Sequence, residues 1–298
     1  MKIKLVENTL ALRRSGATYS EAFAYFWKGA VRELYHKKKF KWKWLKRDGT
    51  LTYFDFNGAK LPDISHLSED FFLLLVVFED TFLVSCLHQD NYDKKVVLPL
   101  DKIMREGPYG YVDGTFDVTV KKGDVVIDAG AWIGDFSAYA ASKGAIAYAF
   151  EPIEETYRWL CKTRDLNTEG QIHPIKKGLG SSECELKMTL VAGNSMANRA
   201  HNEDDNGVSS EKVKITTLDK FVEENKLTRV DFIKSDIEGA ERDMLRGATK
   251  VLQKFAPKLA ICTYHLPDDP EVLEKIILDA NPKYKVVHLR HKLMAAVV

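Results

Sequence analysis

Cysteine is scarce and scattered in this chain of 298 residues. Cys86, Cys161, Cys184 and Cys262 form no C-x-x-C pair, so neither a zinc site nor a disulfide framework is indicated. A reduced, cytoplasmic setting is the expectation that follows. A charge excess is also lacking: 44 basic residues stand against 43 acidic ones, a net charge of +1. Global charge therefore does not argue for a nucleic-acid or membrane partner, and an anionic partner would have to be met by a local patch. Long apolar runs are missing too. The greasiest segment, FFLLLVVFEDTFLV (71–84), is too short for a bilayer and contains Glu79 and Asp80, so it reads as a core element. Charges break the first stretch, MKIKLVENTLALRRSG, which does not resemble a secretory signal. No internal repeat or low-complexity tract is evident. What remains is ordinary globular composition, 45% hydrophobic and 29% charged, enough for one large domain or two ordinary ones.

The N-terminal part mixes element types. A Thr18-x-x-Glu21 capping box opens a stretch in which Phe23, Phe26, Trp27, Ala30, Val31, Leu34 and Tyr35 recur at helical spacing. In the next stretch Phe40, Trp42 and Trp44 alternate with Lys39, Lys41 and Lys43, and Asp48-Gly49 supplies a turn, the pattern of a β-hairpin. The ribbon Lys37, Lys38, Lys39, Lys41, Lys43, Lys46 and Arg47 has two readings. It is a solvated hairpin face with the aromatics packed inward, or a patch for an anionic partner: an anionic lipid or phosphorylated substrate at a membrane periphery, or nucleic acid.

From about Val120 the chain becomes regular. DVVIDAG, IGDFSAYAASKG, AIAYAFEP, EETYRWLCKTRDLN, IHPIKKGLG, KVKITTLDKFVEEN, VDFIKSD, AERDMLRGATKVLQKF and KLAICTYH alternate apolar runs with helical segments. That alternation implies a mostly parallel sheet covered on both faces. At the end, YKVVHLRH and LMAAVV are separated too briefly for a parallel crossover and predict an antiparallel hairpin.

VVIDAGAWIGDFSAY (125–139) reads strand, tight turn, helix, with Gly130 and Gly134 bracketing the turn. Asp128 ends its strand, and Glu151 ends the next one, 23 residues later. A glycine turn lets a ligand approach the backbone, and an acid at the second strand tip can hold ribose hydroxyls. A dinucleotide would want a glycine where Trp132 stands, to admit the pyrophosphate. A cofactor with no phosphate, such as S-adenosylmethionine, tolerates the bulk.

DAGAWIGDFS, AFEP and KSDIEGAE together resemble the FkbM family of S-adenosylmethionine-dependent methyltransferases over roughly residues 105–298. The resemblance implies a class I, Rossmann-like, seven-stranded mostly parallel sheet with a C-terminal antiparallel hairpin. Residues 1–104 fall outside it and are expected to form a smaller α+β region, a cap over the acceptor site. It further implies that Asp128, Gly130, Ala131, Trp132 and Gly134 border the cofactor, that Glu151 binds its ribose, and that Asp236 faces cofactor and substrate. One departure stands out: the family usually has Asn where this chain has Trp132.

Methyl transfer from a sulfonium needs alignment, and an alcohol acceptor also needs a base, worth roughly 10²–10⁴ in rate. His265, Glu238 and Asp236 are the candidates, all at predicted strand ends. If a divalent metal is held, the same Asp236, Glu238 and His265 are its expected ligands, but no metal is expected. Glu241 reads either as a site residue or as a first-turn helix acid, and Asp243 as solvated surface. Lys234 either pairs with one of these acids or reaches solvent by its stem. Asn194 and Ser195 lie in a long polar stretch, 191–210, placed to touch the cofactor base or the substrate.

The expected function is O-methylation of a sugar, glycan or natural-product hydroxyl. A nucleic-acid methyltransferase is the first alternative, disfavoured by the lack of an N/D-P-P-Y/F tetrapeptide and by the balanced charge. A nicotinamide-dependent oxidoreductase is the second, disfavoured by Trp132 and the closing hairpin. A non-enzymatic binding module on the same scaffold is the third.

Overall fold

The computed structural model describes residues 45–63 (57 aside), 109–168, 171–190, 199–200, 209–289 and 291–298. The helix expected over 18–36, most of the Lys37–Arg47 ribbon, the segment 71–84, Asn194 and Ser195 lie outside these residues.

Seven strands form the central sheet: β6 (Val125–Ala129), β7 (Ile146–Phe150), β8 (Gln171–Ile175), β13 (Phe232–Ser235), β14 (Lys258–Cys262), β15 (Tyr284–His288) and β16 (Lys292–Val297). Their order is β15-β16-β14-β13-β6-β7-β8. Only β16 runs antiparallel, pairing with β14 on one side and β15 on the other. The alternating pattern predicts the parallel strands and the closing antiparallel hairpin, and the seven-stranded order is the class I methyltransferase sheet that the resemblance implies.

Period-two alternation builds a core on each face. Ile127, Ile233, Ile261 and Leu293 point to one side, against Leu218, Phe221, Met244, Leu245, Leu252 and Leu273. Their chain neighbours Val126, Phe232, Ala260 and Met294 point to the other, against Phe136, Ala140, Phe116 and Val118. Helices α1 (Asp135–Ser142), α2 (Glu154–Leu166), α3 (Leu218–Glu224), α4 (Glu241–Arg246), α5 (Thr249–Phe255) and α6 (Asp269–Ala280) cover the sheet. A short hairpin, β4 (Tyr111–Asp113) with β5 (Phe116–Val118), closes the second face.

Strands β6, β7 and β8 step outward one way, and β13 and β14 step the other. The switch point lies between β6 and β13, where open α/β sheets bind ligands beyond the strand C-termini. There the chain is drawn tight: Asp236 N–H donates to the Ala129 carbonyl at 3.1 Å.

The segment KVKIT does not join this sheet. It forms β12 (Ser210–Thr216), antiparallel to β10 (Cys184–Thr189) and parallel to β9 (Gly178–Leu179), with β11 (Arg199–Ala200) at the far edge. Its alternation explains why: Val213 is buried whereas Lys212 and Lys214 are exposed, so it suits a half-covered sheet.

Around the Asp48-Gly49 turn, β1 (Leu45–Asp48) and β2 (Leu51–Phe56) pair antiparallel as expected, and β3 (Ala59–Pro62) adds a third strand. Strand β3 docks through Lys60, which exchanges two backbone hydrogen bonds with Asn167 at the end of α2. Thirteen residues of α2 separate that contact from Glu151, about 20 Å at 1.5 Å per residue.

Gly247 ends α4 against the loop after β9, and a Cβ placed there would drive into the Gly180 carbonyl oxygen. Its φ of −75° is open to any residue, so the effect of a side chain is steric alone. Gly247→Ala is expected to destabilise the fold by about 1–3 kcal/mol. A melting curve checks this; an unchanged midpoint contradicts the packing described.

Candidate functional site

The glycine turn after β6 is held from beneath. Asp128 is fully buried; Ser137 Oγ donates to Oδ2 at 2.6 Å, and Lys234 Nζ lies 3.2 Å from Oδ1. Asp128 and Lys234 are direct register partners on β6 and β13. Lys234 also donates to the Gly130 carbonyl at 2.6 Å. Burial works to lower its pKa, but Asp128, Asp236 and Asp135 outweigh it and hold it above the ordinary lysine value. The partner of Lys234 is therefore chiefly Asp128, on the neighbouring strand, and its stem does not lead to solvent.

Gly130, at φ 74°, has a bare backbone pressed against the Asp236 carbonyl, where no Cβ fits. Gly130 N–H and Ala131 N–H both donate to the Phe150 carbonyl, at 3.1 and 2.9 Å. Gly134, at φ 86°, opens α1 with its Cα packed on Leu160 and Thr163. Trp132 is buried and left-handed, at φ 47°. Asn tolerates that region far better than a bulky residue, which gives a backbone reason for the Asn expected there.

Glu151 follows β7 and is buried beside this turn. Its Oε2 accepts from Trp132 N–H at 3.0 Å; its Oε1 accepts from Ile153 N–H at 2.9 Å and Thr156 Oγ1 at 2.7 Å. Burial pushes its pKa up to about 7, against the pull of these donors and of Lys234.

Across the switch point stands a second cluster. Asp236 accepts from Tyr109 Oη at 2.6 Å and from Tyr264 Oη at 3.0 Å. Burial works to raise its pKa, but Lys234, the Tyr109 hydrogen bond, His265 and Lys292 hold it below the usual carboxylate value. His265 follows β14, with Nδ1 3.1 Å from Glu241 Oε1 and Nε2 3.6 Å from both Asp236 Oδ1 and Glu238 Oε2. Burial alone would lower its pKa from 6.5. Glu241, then Asp236 and Glu238, raise it to about 9 instead.

The acids of the KSDIEGAE segment thus divide three ways. Asp236 and Glu238 converge on His265. Glu241 is fully buried: its carboxylate accepts from Ile237 N–H at 2.8 Å and Gly239 N–H at 3.0 Å while facing the imidazole. It pins the left-handed loop formed by Glu238 (φ 55°) and Gly239 (φ 98°). Asp243 is surface, paired with Arg246. Among the described residues, Asp236, Glu241 and His265 bring potential metal-ligand atoms within 4.8 Å of one another. Glu241 here takes the place that sequence spacing gives to Glu238. A cation would have to displace the proton that His265 carries at neutral pH.

Tyr109, Tyr264 and Lys292 carry no sequence signal for this site. Lys292 is fully buried, with Nζ 4.3 Å from the Tyr109 ring centroid, and Lys234 Nζ is 5.3 Å from the same ring.

Residues 128–285, which carry both clusters apart from Tyr109 and Lys292, match the methyltransferase FkbM domain. The chain belongs to the FkbM methyltransferase family. It is 28% identical over 166 residues to a hexuronic acid methyltransferase, AglP, of Haloferax volcanii, covering 56% of this chain and 66% of that protein. It is 29% identical over 158 residues to methyltransferase 1 of Beauveria bassiana, covering 46% and 64%. The chain thus spans just under two thirds of the length of these relatives. A solved FkbM methyltransferase from Methylobacillus flagellatus aligns with a TM-score of 0.46 at 22% identity, covering 62% of this chain and 45% of that one. Family membership sets the nicotinamide oxidoreductase alternative aside. Among the described residues, no helix is long and apolar enough to cross a membrane.

In this FkbM site the charge on His265 depends first on Glu241. Glu241→Gln is expected to bring the His265 pKa down from about 9 toward 6.5, as read by NMR titration of the imidazole. The sign for stability follows. A raised histidine pKa contributes fully below 6.5, and the contribution fades as pH climbs through 9, so the variant should lose more stability at pH 6 than at pH 10, where only the loop hydrogen bond that a Gln amide cannot accept is lost. An unshifted pKa contradicts the pairing.

Proposed function

We propose that this protein is an O-methyltransferase that uses S-adenosylmethionine and acts on a hydroxyl of a sugar. The observation that carries the reading is the convergence of Glu151, Asp236, Glu238 and His265 on the switch point of an FkbM-family sheet. The hexuronic acid methyltransferase among its relatives supports a sugar acceptor. Residues 105–298 would form the methyltransferase domain. Of the cap expected of residues 1–104, the described strand β3 docks on the far end of α2.

The donor set fits the cofactor. Glu151 would hold the ribose: its Oε2 accepts one protein donor where Oε1 accepts two, which leaves room for a hydroxyl at Oε2. Asp236 supplies fixed negative charge toward a cationic ligand, kept ionised by its lysine neighbours. When bound, S-adenosylmethionine supplies a methyl group already activated by its positive sulfur, so the protein's task is alignment and proton removal.

The proton acceptor is the point at which the structure changes the reading. The sequence points first to His265. A ring protonated up to about pH 9 takes no proton at neutral pH. We therefore assign His265 to holding the Asp236 and Glu238 carboxylates together. Glu238 has 30% of its side chain exposed, against 16% for Asp236 and none for Glu241. It is the carboxylate that a sugar hydroxyl reaches, and it takes the proton.

Cofactor binding tests this reading. Ribose hydroxyls donating to Glu151 favour its ionised form, so ligation lowers a pKa that starts at about 7. Affinity should therefore be highest above pH 7 and fall as pH drops below it, by up to roughly tenfold per pH unit. Calorimetric titration with S-adenosylmethionine at pH 6 and pH 8 checks this, and Glu151→Gln should flatten the dependence. Equal affinity at both pH values in the wild type removes Glu151 from the ribose site; no binding at either removes the cofactor.

A further inference from the structure

From Leu259 in β14 the chain is buried as far as Thr263, at 8% exposure, and the His265 side chain is largely buried in turn. Between and beyond them two large side chains break the pattern. Tyr264 is 37% exposed and Leu266 is 38% exposed. Tyr264 stands at the mouth of the acidic cluster. Tyr264 is also anchored: its hydroxyl donates to Asp236 Oδ1, its ring centroid is 4.2 Å from that of His265, and His291 meets it edge-on at 6.0 Å. An aromatic ring that is exposed yet held by a hydrogen bond keeps a fixed apolar surface in water. Such surfaces line small-molecule sites, where a few polar groups set orientation.

We propose that Tyr264 is the platform on which the acceptor sugar lies, and that it selects for a pyranose ring. This rests on the O-methyltransferase reading above. A pyranose is polar at its edge, where the hydroxyls project, and apolar on its faces, where axial C–H groups point outward. An aromatic surface covers such a face while leaving the hydroxyl edge free. Laid on Tyr264, the sugar turns that edge toward the carboxylates at Asp236 and Glu238, within reach of the ring's own anchor. Because the phenol hydroxyl is tied to Asp236, the ring is ordered before the acceptor arrives, and little side-chain entropy is lost on binding. The platform and the carboxylate cluster therefore form one unit: the same hydrogen bond that orients Asp236 also orients the surface that receives the acceptor.

The two roles of Tyr264 separate in its variants. Tyr264→Phe keeps the ring and loses the bond to Asp236. Tyr264→Ala loses both, and Tyr264→Trp enlarges the surface. The probes are methyl β-D-glucuronoside and methyl β-D-glucoside, with binding followed by saturation-transfer NMR and turnover by initial rates. The wild type should transfer saturation chiefly to the ring C–H protons of one face. Tyr264→Ala should abolish that transfer or weaken acceptor affinity at least tenfold, with S-adenosylhomocysteine affinity within twofold of wild type. Tyr264→Phe and Tyr264→Trp should keep acceptor affinity within threefold, with Tyr264→Phe lowering kcat. Wild-type protein that binds S-adenosylhomocysteine but gives no saturation transfer from either glycoside overturns the platform. So does Tyr264→Ala with acceptor affinity unchanged, in which case Tyr264 acts only through Asp236. Failure of the wild type to bind S-adenosylhomocysteine instead overturns the proposed function, and the glycoside spectra still report on the platform.

Discussion

A buried ion pair between the two central strands is the constraint from which the site follows. Lys234 and Asp128 face each other across β13 and β6, in the driest part of the sheet. Neither charge is tolerable there alone; removing one partner of such a pair costs about 3–5 kcal/mol because the other is left uncompensated. The pair is therefore always made, and its geometry is fixed by strand register. Lys234 then has a proton to give to the Gly130 carbonyl, and this ties the glycine turn to β13. Its field also reaches Asp236 and keeps that carboxylate ionised despite burial. The shape of the turn and the charge of the site share one cause.

The cluster carries more carboxylates than cations, since Lys234 is already paired with Asp128. Three carboxylates, Asp236, Glu238 and Glu241, gather round one imidazole, and two buried lysines, Lys234 and Lys292, stand behind Tyr109. The consequence is a division of labour. His265 is charged at neutral pH and organises its neighbours, and in the proposed function the half-buried Glu238 is the carboxylate that exchanges a proton with an acceptor. A positive charge brought beside Asp236 would compete with the imidazolium for the same carboxylates and weaken their hold on its proton. The state of His265 is thereby coupled to what the site contains.

The strand-end acids were legible because they stand in a local pattern. Asp128, Glu151 and Asp236 each close an apolar run, and a parallel sheet brings such ends to one edge. The closing hairpin was legible because the link between its strands is too short to be anything else. Contacts that depend on convergence were not legible. Tyr109 lies 127 positions from the Asp236 it touches, and no spacing rule connects them. Lys234 could be seen as a charge in an apolar strand, but its partner Asp128 emerges only once β6 and β13 are set in register. Glu241 illustrates the same limit. Its place in a first helical turn suits a dipole role, and only the fold shows it fully buried against His265. The pKa of His265 could not be read either, since it depends on three carboxylates that arrive from one side. The strand KVKIT was legible as a strand but not in its sheet, because half-exposed alternation also suits the smaller layer it joins.

The atom to which the methyl group is transferred decides whether this is O-methylation of a sugar hydroxyl. Incubation of the protein with S-adenosylmethionine carrying a ¹³C methyl and with methyl β-D-glucuronoside, followed by NMR of the product, locates the new bond. The account predicts a methyl ether, with the labelled carbon coupled through oxygen to a ring C–H. A methyl ester on the uronate carboxylate, or label on no sugar atom at all, would contradict it.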